Sequence, residues 1–445
     1  MSHPSHEALK RFLSGDEATP GDGDVARHLL PDCAVCSEVV LSWWANAGRA
    51  DAGAAGGTGA AQDEARYDEL FVRMLSEVKR LEAVVVAERR EAARLLPRLL
   101  QQPLERQLIL VGNSRQYGTA AVCERLLEAS YAQRHDDPSK SEALAQVAVA
   151  ASSRLDPVRY GDALVHDLKG RCWTYLANAR RVLGDFTGAK AALATAWSLL
   201  ADGTGSPLDE AFWWEVETSL RSARQEPVES ARCVGRAIAL YRRIGDRHLL
   251  GRALILQGMV WGYAEDFCRE IVLVRIGLQL MDPDRDARVA LSGWHNLCWA
   301  LHHVGEERQA LAALARARPV YLRLGPRSLL LRFQWLEGTI AASLHRDEQA
   351  EGCLREAREG FIQLGVAIEA AEVSLDLASL LCRQGRTAEV RRLAVEMIAI
   401  FESMGIREEA LAAFILLRQA AERDRVTEAL LQQLGSRLRE PKARG

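Results

Sequence analysis

Two columns of small side chains recur every 40 or 41 residues, and they constrain this 445-residue chain more than any other feature. The first column is Ala177, Thr218, Gly258, Cys298, Gly338 and Ala378; the second is Ala196, Ala237, Gly277, Ala317 and Ala357. Packed helices approach to about 8–10 Å only where the crossing point carries a small side chain. Two such columns in one register therefore describe a series of helical hairpins. The segments "YRRIG" at 241, "YLRLG" at 321, "FIQLG" at 361 and "FESMG" at 401 close successive units on the same grid. Gly184, Gly305 and Gly385, with His345 in the matching slot, mark a turn midway through each unit. The units at 225 and 265 lack that glycine. Strand signals, meaning alternating β-branched runs and Asn-Gly hairpin turns, are absent. The abundance of Ala, Leu, Arg and Glu favours helix, so the chain reads as all-α.

Within one unit the order is Trp173, Leu176, Ala177, Gly184, Ala189, Ala196, and within another Trp294, Leu297, Cys298, Gly305, Ala310, Ala317. This order resembles the tetratricopeptide repeat, over roughly residues 160–405, with a period of 40 in place of 34. The resemblance implies an α-solenoid over 111–440 whose hairpins bury their apolar faces by stacking. It also implies an inner groove lined by the first helix of each unit, where a protein or peptide is taken. Trp173, Trp214 and Trp294 fall in the core register, whereas Trp213, Trp261, Trp299 and Trp335 are candidates for the groove.

Ahead of the repeats lie three further regions. Residues 1–45 form a small module of short helices. Residues 46–64, "NAGRADAGAAGGTGAAQDE", offer almost no large apolar side chain and read as a flexible tether. Residues 65–110 are connecting helices whose apolar spacing suits docking. In the module, "HLLPDCAVC" puts His28, Cys33 and Cys36 within nine residues. Zinc takes four Cys or His ligands in a closed structural site, and Cys-x2-Cys grips one ion from a single turn. His6 is the best fourth ligand, with His3 behind it. Two other readings stay open: a redox Cys-x2-Cys, which normally accompanies a βαβ unit that this chain lacks, and a metal-free cysteine pair. About 45 residues bury too little apolar area to fold securely alone, so a Zn2+ ion would contribute much of the module's stability.

The pattern His6…His28-x4-Cys33-x2-Cys36 resembles the zinc-finger fold of zinc-associated anti-sigma factors, with "HEALKRFLSG" and "ARHLLPDCAVC" matching its opening and closing segments. The spacing from His28 to Cys33 is one residue longer than usual in that family. The resemblance implies a sigma factor as a candidate partner. It also implies a metal site that some relatives empty on thiol oxidation.

Other chemistry is not signalled. No phosphate-binding loop, nucleophile elbow or His-Glu-x-x-His helix occurs. His302 and His303, beside the turn "HHVGEE", read as solvated histidines at a helix end. The balance of 57 Lys and Arg against 60 Asp and Glu leaves a net charge of −3, unlike a non-specific nucleic-acid binder. No segment reaches a membrane-spanning length, and "MSHPSHEALKRFL" lacks the apolar run of a signal peptide. A cytoplasmic protein follows, and its seven scattered cysteines read as small core residues. The expected function is non-enzymatic: a regulatory interaction protein, of anti-sigma type or another transcription-regulating adaptor. The alternative is an assembly scaffold whose zinc module is purely structural.

Overall fold

The computed structural model describes residues 3–14, 25, 28–29, 33, 35–36, 38–40, 42, 84–404, 414–415, 417–418 and 426–439. The expected tether 46–64, the first part of the connecting helices, Trp43, Trp44 and Gly405 lie outside the described residues. Those residues are all-α, with no strand among them. The chain divides into two compact units, Met1–Ala264 and Glu265–Gly445.

In the first unit, α1 spans His6–Ser14, α2 spans 84–100 and α3 spans Leu104–Asn113. The hairpin pairs follow: α4 (Ala120–Gln133) with α5 (Pro138–Ser152), α6 (Asp162–Val182) with α7 (Phe186–Ala201), and α8 (Pro207–Ala223) with α9 (Pro227–Ile244). Helix α10 (Arg247–Tyr263) packs on α9 and ends the unit. The first helices also touch one another, α4 with α6, α6 with α8 and α8 with α10, so they form one layer. Part of the apolar surface of α2 and α3 lies inside this unit, while Val86, Leu100 and Ile109 stay exposed. Ala92, Leu96, Leu99 and Val111 share a core with Leu126, Leu144, Val147 and Leu168.

In the second unit, α11 (Phe267–Leu280) packs on α12 (Ala287–His303), which pairs with α13 (Glu307–Leu324). The pairs α14 (Arg327–Ser343) with α15 (Asp347–Gln363) and α16 (Ala367–Arg383) with α17 (Thr387–Met404) follow, and α18 (Glu428–Arg439) packs on α16.

Every member of both small-residue columns is buried. A Cβ added to Gly338 would lie 2.9 Å from Leu354 Cγ and 3.1 Å from Cys353 Cβ. The columns thus lie where neighbouring helices come closest, as the spacing predicts.

Five of the turns between paired helices share one geometry, whereas the turn from α4 to α5 contains no left-handed residue. At Gly184 the amide of Asp185 bonds the carbonyl of Arg180 at 2.9 Å, and that of Gly184 bonds Arg181 at 3.0 Å. This is a Schellman closure, which needs one residue in the left-handed region. Gly305 and Gly385 serve at φ +76° and +71°. Where glycine is missing, Gln225, Glu265 and His345 adopt the same conformation at +60°, +62° and +57°. The closing bonds of neighbours then override the side chain's own preference. Gly325 departs from the pattern, with φ −78° and ψ 128°. Pro326 follows it, and the residue before proline is driven to extended backbone. Aspartates start many of the helices: Asp137, Asp185, Asp246, Asp266 and Asp286 each accept an amide three residues on.

Among the aromatic residues assigned to the core, Trp214 is buried, while Trp173 and Trp294 are half-buried. Of the four groove candidates, Trp213 and Trp261 are buried, and Trp213 Nε1 donates to Leu193 O at 2.9 Å. Trp335 packs against the core of the second unit and donates to Asp376 Oδ2 at 2.6 Å. His302 is half-buried, with Nδ1 at 2.9 Å from Glu307, and His303 is exposed against the ring of Trp299. The scattered cysteines carry no disulfide; Cys123, Cys172, Cys233 and Cys298 are buried as expected, and burial pushes the Cys298 thiol up to about 12, whereas Cys268, Cys353 and Cys382 are half-buried.

Two stability measurements check this description. Replacing Gln225 by Gly relieves a strained left-handed residue and should stabilise the first unit by up to about 1 kcal/mol in thermal or urea unfolding. Glu270 is 4% exposed in α11, and burial raises its carboxyl pKa to about 8. A carboxyl with a raised folded pKa costs stability as pH climbs from its unfolded value, near 4.5, to the folded value. Glu270→Gln should therefore raise the unfolding midpoint, with a gain that grows between pH 5 and pH 8 and then levels off. A gain equal at both pH values would contradict an ionisable, desolvated Glu270.

Candidate metal centre and a half-buried crevice

Ser5 starts α1: its hydroxyl accepts the amide of Ala8 at 3.2 Å, and its carbonyl accepts that of Leu9 at 3.0 Å. Leu9, Phe12 and Leu13 on this helix are buried, as are Val25, Leu29, Cys36 and Val40. This small core holds the chain before α1 next to the stretch from His28 to Cys36.

His3, His28, Cys33 and Cys36 converge there, with their ligand atoms all within 4.8 Å of one another. His3 Nδ1 lies 3.2 Å from His28 Nε2, 3.6 Å from Cys33 Sγ and 3.5 Å from Cys36 Sγ. His28 Nε2 is 3.3 Å from Cys36 Sγ. The two imidazoles meet edge to face at 5.1 Å. Zn–N bonds of about 2.0 Å and Zn–S bonds of about 2.3 Å in a tetrahedron put N and N about 3.3 Å apart, and N and S about 3.6 Å apart. The donor set and its spacings fit that ion. Burial and the adjacent Cys33 thiol push the Cys36 thiol up to about 11. A bound dication reverses such a shift, because it favours the thiolate.

Three of the four expected ligands, His28, Cys33 and Cys36, come together. His6 does not join them; it is exposed at the start of α1, and His3 occupies the fourth corner. His6 sits in the first turn of α1, one residue after the Ser5 cap, and is exposed. His3 lies before the cap, where the chain is not helical.

A second site lies on the layer of first helices in the first unit. Tyr131, Tyr175 and Phe212, from α4, α6 and α8, meet with centroids 4.7 to 6.5 Å apart. The Arg134 guanidinium sits 3.5 Å over the Tyr131 ring. Arg252 Nη2 donates to Tyr131 Oη at 3.2 Å and to Glu215 at 3.1 Å. Arg171 forks onto Asp209 at 2.5 and 2.9 Å. Burial opposes its charge, but the bonds to Asp209 prevail and raise its pKa. Arg181 forks onto Asn178 Oδ1 at 3.3 and 2.9 Å. All three rings and all four guanidiniums are half-buried, so the cluster stays partly open to solvent and does not fill a core. The sequence reading sought groove aromatics among the tryptophans and missed these. Their signal is the stripe Arg171, Tyr175, Asn178 at helical spacing on α6, beside the buried column residue Ala177.

No family model matches the chain, and no curated protein matches it. Solved structures do. A Rap protein complexed with competence and sporulation factor aligns over 72% of this chain and 88% of its own, with 14% identity and a TM-score of 0.52. The apo form of RapI aligns over 68% of this chain and 97% of its own, with 10% identity and a TM-score of 0.42. BtubC from P. vanneervenii aligns over 50% and 93%, with 17% identity and a TM-score of 0.38. The first likeness shows a helical fold of the Rap kind. No helix among the described residues is long and apolar enough to cross a membrane.

The metal site is checked by elemental analysis of undenatured protein, with one zinc per chain expected. Cys33→Ser and Cys36→Ser should each abolish retention through gel filtration with a chelator. His3→Ala should weaken it by about 10-fold or more, while His6→Ala leaves it unchanged. Loss with His6→Ala and not with His3→Ala would restore the other assignment.

Proposed function

We propose that this chain is a non-enzymatic regulatory protein whose helical hairpins bind a protein or peptide. The observation that carries the reading is the half-buried crevice of tyrosine, phenylalanine and arginine in the first unit. Tyr and Arg dominate the few residues that supply most binding energy at interfaces. A Rap protein of similar fold, seen complexed with competence and sporulation factor, supports this use of such a fold.

In the same reading the N-terminal module is closed on a structural zinc ion by His3, His28, Cys33 and Cys36. The ion would add cross-linking that the apolar burial of so small a module cannot supply alone. Four protein donors leave no open position for a substrate, so the site is assigned no catalysis. The resemblance of the module to zinc-associated anti-sigma factors makes a sigma factor the candidate partner, and the protein would act in the cytoplasm. The hairpins would then receive a second protein or peptide that governs the first interaction.

Affinity purification from the native host tests this. A sigma factor should be enriched by the intact chain and lost with Cys33→Ser, and transcription from its promoter should fall when the protein is overproduced. Enrichment of assembly components, with no sigma factor and no transcriptional change, would favour a scaffold with a purely structural zinc module.

A further inference from the structure

We propose that Trp197 and an arginine stripe on α9 form a docking surface for an acidic helical segment of a partner protein, with an apolar side chain against the Trp197 ring and carboxylates on Arg232, Arg236 and Arg243. This surface shares no residue with the tyrosine cluster that carries the interaction reading, and it adds a second place of contact to the first unit.

Three indoles from two hairpins meet here. Trp197 of α7 lies 4.7 Å from Trp213 and 5.5 Å from Trp214 of α8, centroid to centroid, and those two meet edge to face at 4.7 Å. Trp213 and Trp214 are buried, and their indole nitrogens donate to Leu193 O and to Glu210 Oε1. Trp197 is 40% exposed, and its Nε1 has no partner among the described residues. The matching position one unit on is Ile238, which is buried, so the slot accepts a smaller side chain that the hairpins cover.

The charge beside this ring is mostly positive. Arg236 stands 4.3 Å over the Trp214 ring, so Arg236 and Trp197 border the same indole. Arg232, Arg236 and Arg243 share one side of α9, at steps of about 6 and 10 Å along its axis. All three are exposed, and none forms an ion pair among the described residues. Glu229, exposed in the first turn of α9, pairs with none of them. Helix α7 carries Lys190 and no acidic residue.

A guanidinium stacked on an indole keeps its edge N–H groups available to fork onto a carboxylate. A lone exposed ring would be ordinary surface. An exposed ring backed by two buried ones and flanked by unpaired cations suits a partner that brings an apolar group and negative charge together, and Trp and Arg are enriched among the residues that dominate binding energy. Carboxylates at intervals of three or four residues along a helix match the step of about 6 Å between Arg232 and Arg236. A nucleic acid fits less well, because the net charge of −3 opposes a polyanion and a single exposed ring offers one stacking place.

The test uses the full-length chain and fluorescent helix-forming peptides of about twenty residues, each with a leucine stripe and with Glu, Gln or Lys on the flanking positions. The Glu form should bind about 10-fold more tightly than the Gln form, with the Lys form weakest, and its advantage should shrink as salt rises from about 50 to about 300 mM. The triple variant Arg232→Gln, Arg236→Gln, Arg243→Gln should erase the Glu preference, with urea unfolding to show that the fold is kept. Trp197→Ala should weaken the Glu form by about 10-fold while its salt dependence stays. The peptide series needs no variant, so a folding defect in Trp197→Ala does not blunt the test. No binding of the Glu form, equal binding of the Glu and Gln forms, or a Glu preference that persists in the folded triple variant would each overturn the proposal. A single-stranded oligonucleotide that binds more tightly than the Glu form, and is lost with the same triple variant, would overturn it in favour of nucleic acid. None of these outcomes bears on the tyrosine cluster, which the affinity purification tests separately.

Discussion

Close contact between helices at the small-residue columns is what the rest of the fold depends on. Ala177, Thr218 and Ala378 are fully buried, and so are Ala196, Ala237, Ala317 and Ala357. At Gly338 even a methyl group would press on Leu354. Large side chains such as Leu254, Tyr321 and Phe361 can then fill the space on either side of each crossing. Dense packing of this kind brings apolar atoms within dispersion range along the whole length of a helix. The turns follow from it. Once two helices are held side by side, the chain must reverse within a few residues, and left-handed backbone at Gln225 and His345 is the consequence.

The same regularity creates the crevice. Because hairpins repeat, equivalent positions on successive first helices form rows. One side of each first helix packs on its partner, and the other side offers residues to the recess. In the first unit those rows carry Arg171, Tyr175 and Asn178 from α6, Phe212 and Glu215 from α8, and Arg252 from α10. Rings, guanidiniums and carboxylates from different hairpins therefore meet, though they lie about 40 residues apart in sequence. Arg171 pairs there with Asp209 and Arg252 with Glu215, while Arg181 donates to the amide oxygen of Asn178.

The N-terminal module obeys a different constraint. It is only about 45 residues long, and its four donors converge at distances that suit a tetrahedral ion. A metal ion held by these donors would couple binding to folding. The hairpin units need no such clamp, because each helix already buries a continuous apolar face.

The period of 40, the small columns, the hairpin turns and the all-α class were legible in the chain itself, because they depend on residue size at fixed spacing. The Cys33–Cys36 pair and His28 were legible for a similar reason: a short loop limits where their side chains can go. Tertiary structure decided the rest. It gathered His3, and not the exposed His6, with His28, Cys33 and Cys36. It buried Trp213 and Trp261, which helical spacing could not separate from groove positions. It also joined Tyr131, Tyr175, Phe212 and four arginines into one recess. Spacing within a helix is local and can be read along the chain, whereas the meeting of residues from separate hairpins depends on how those hairpins pack.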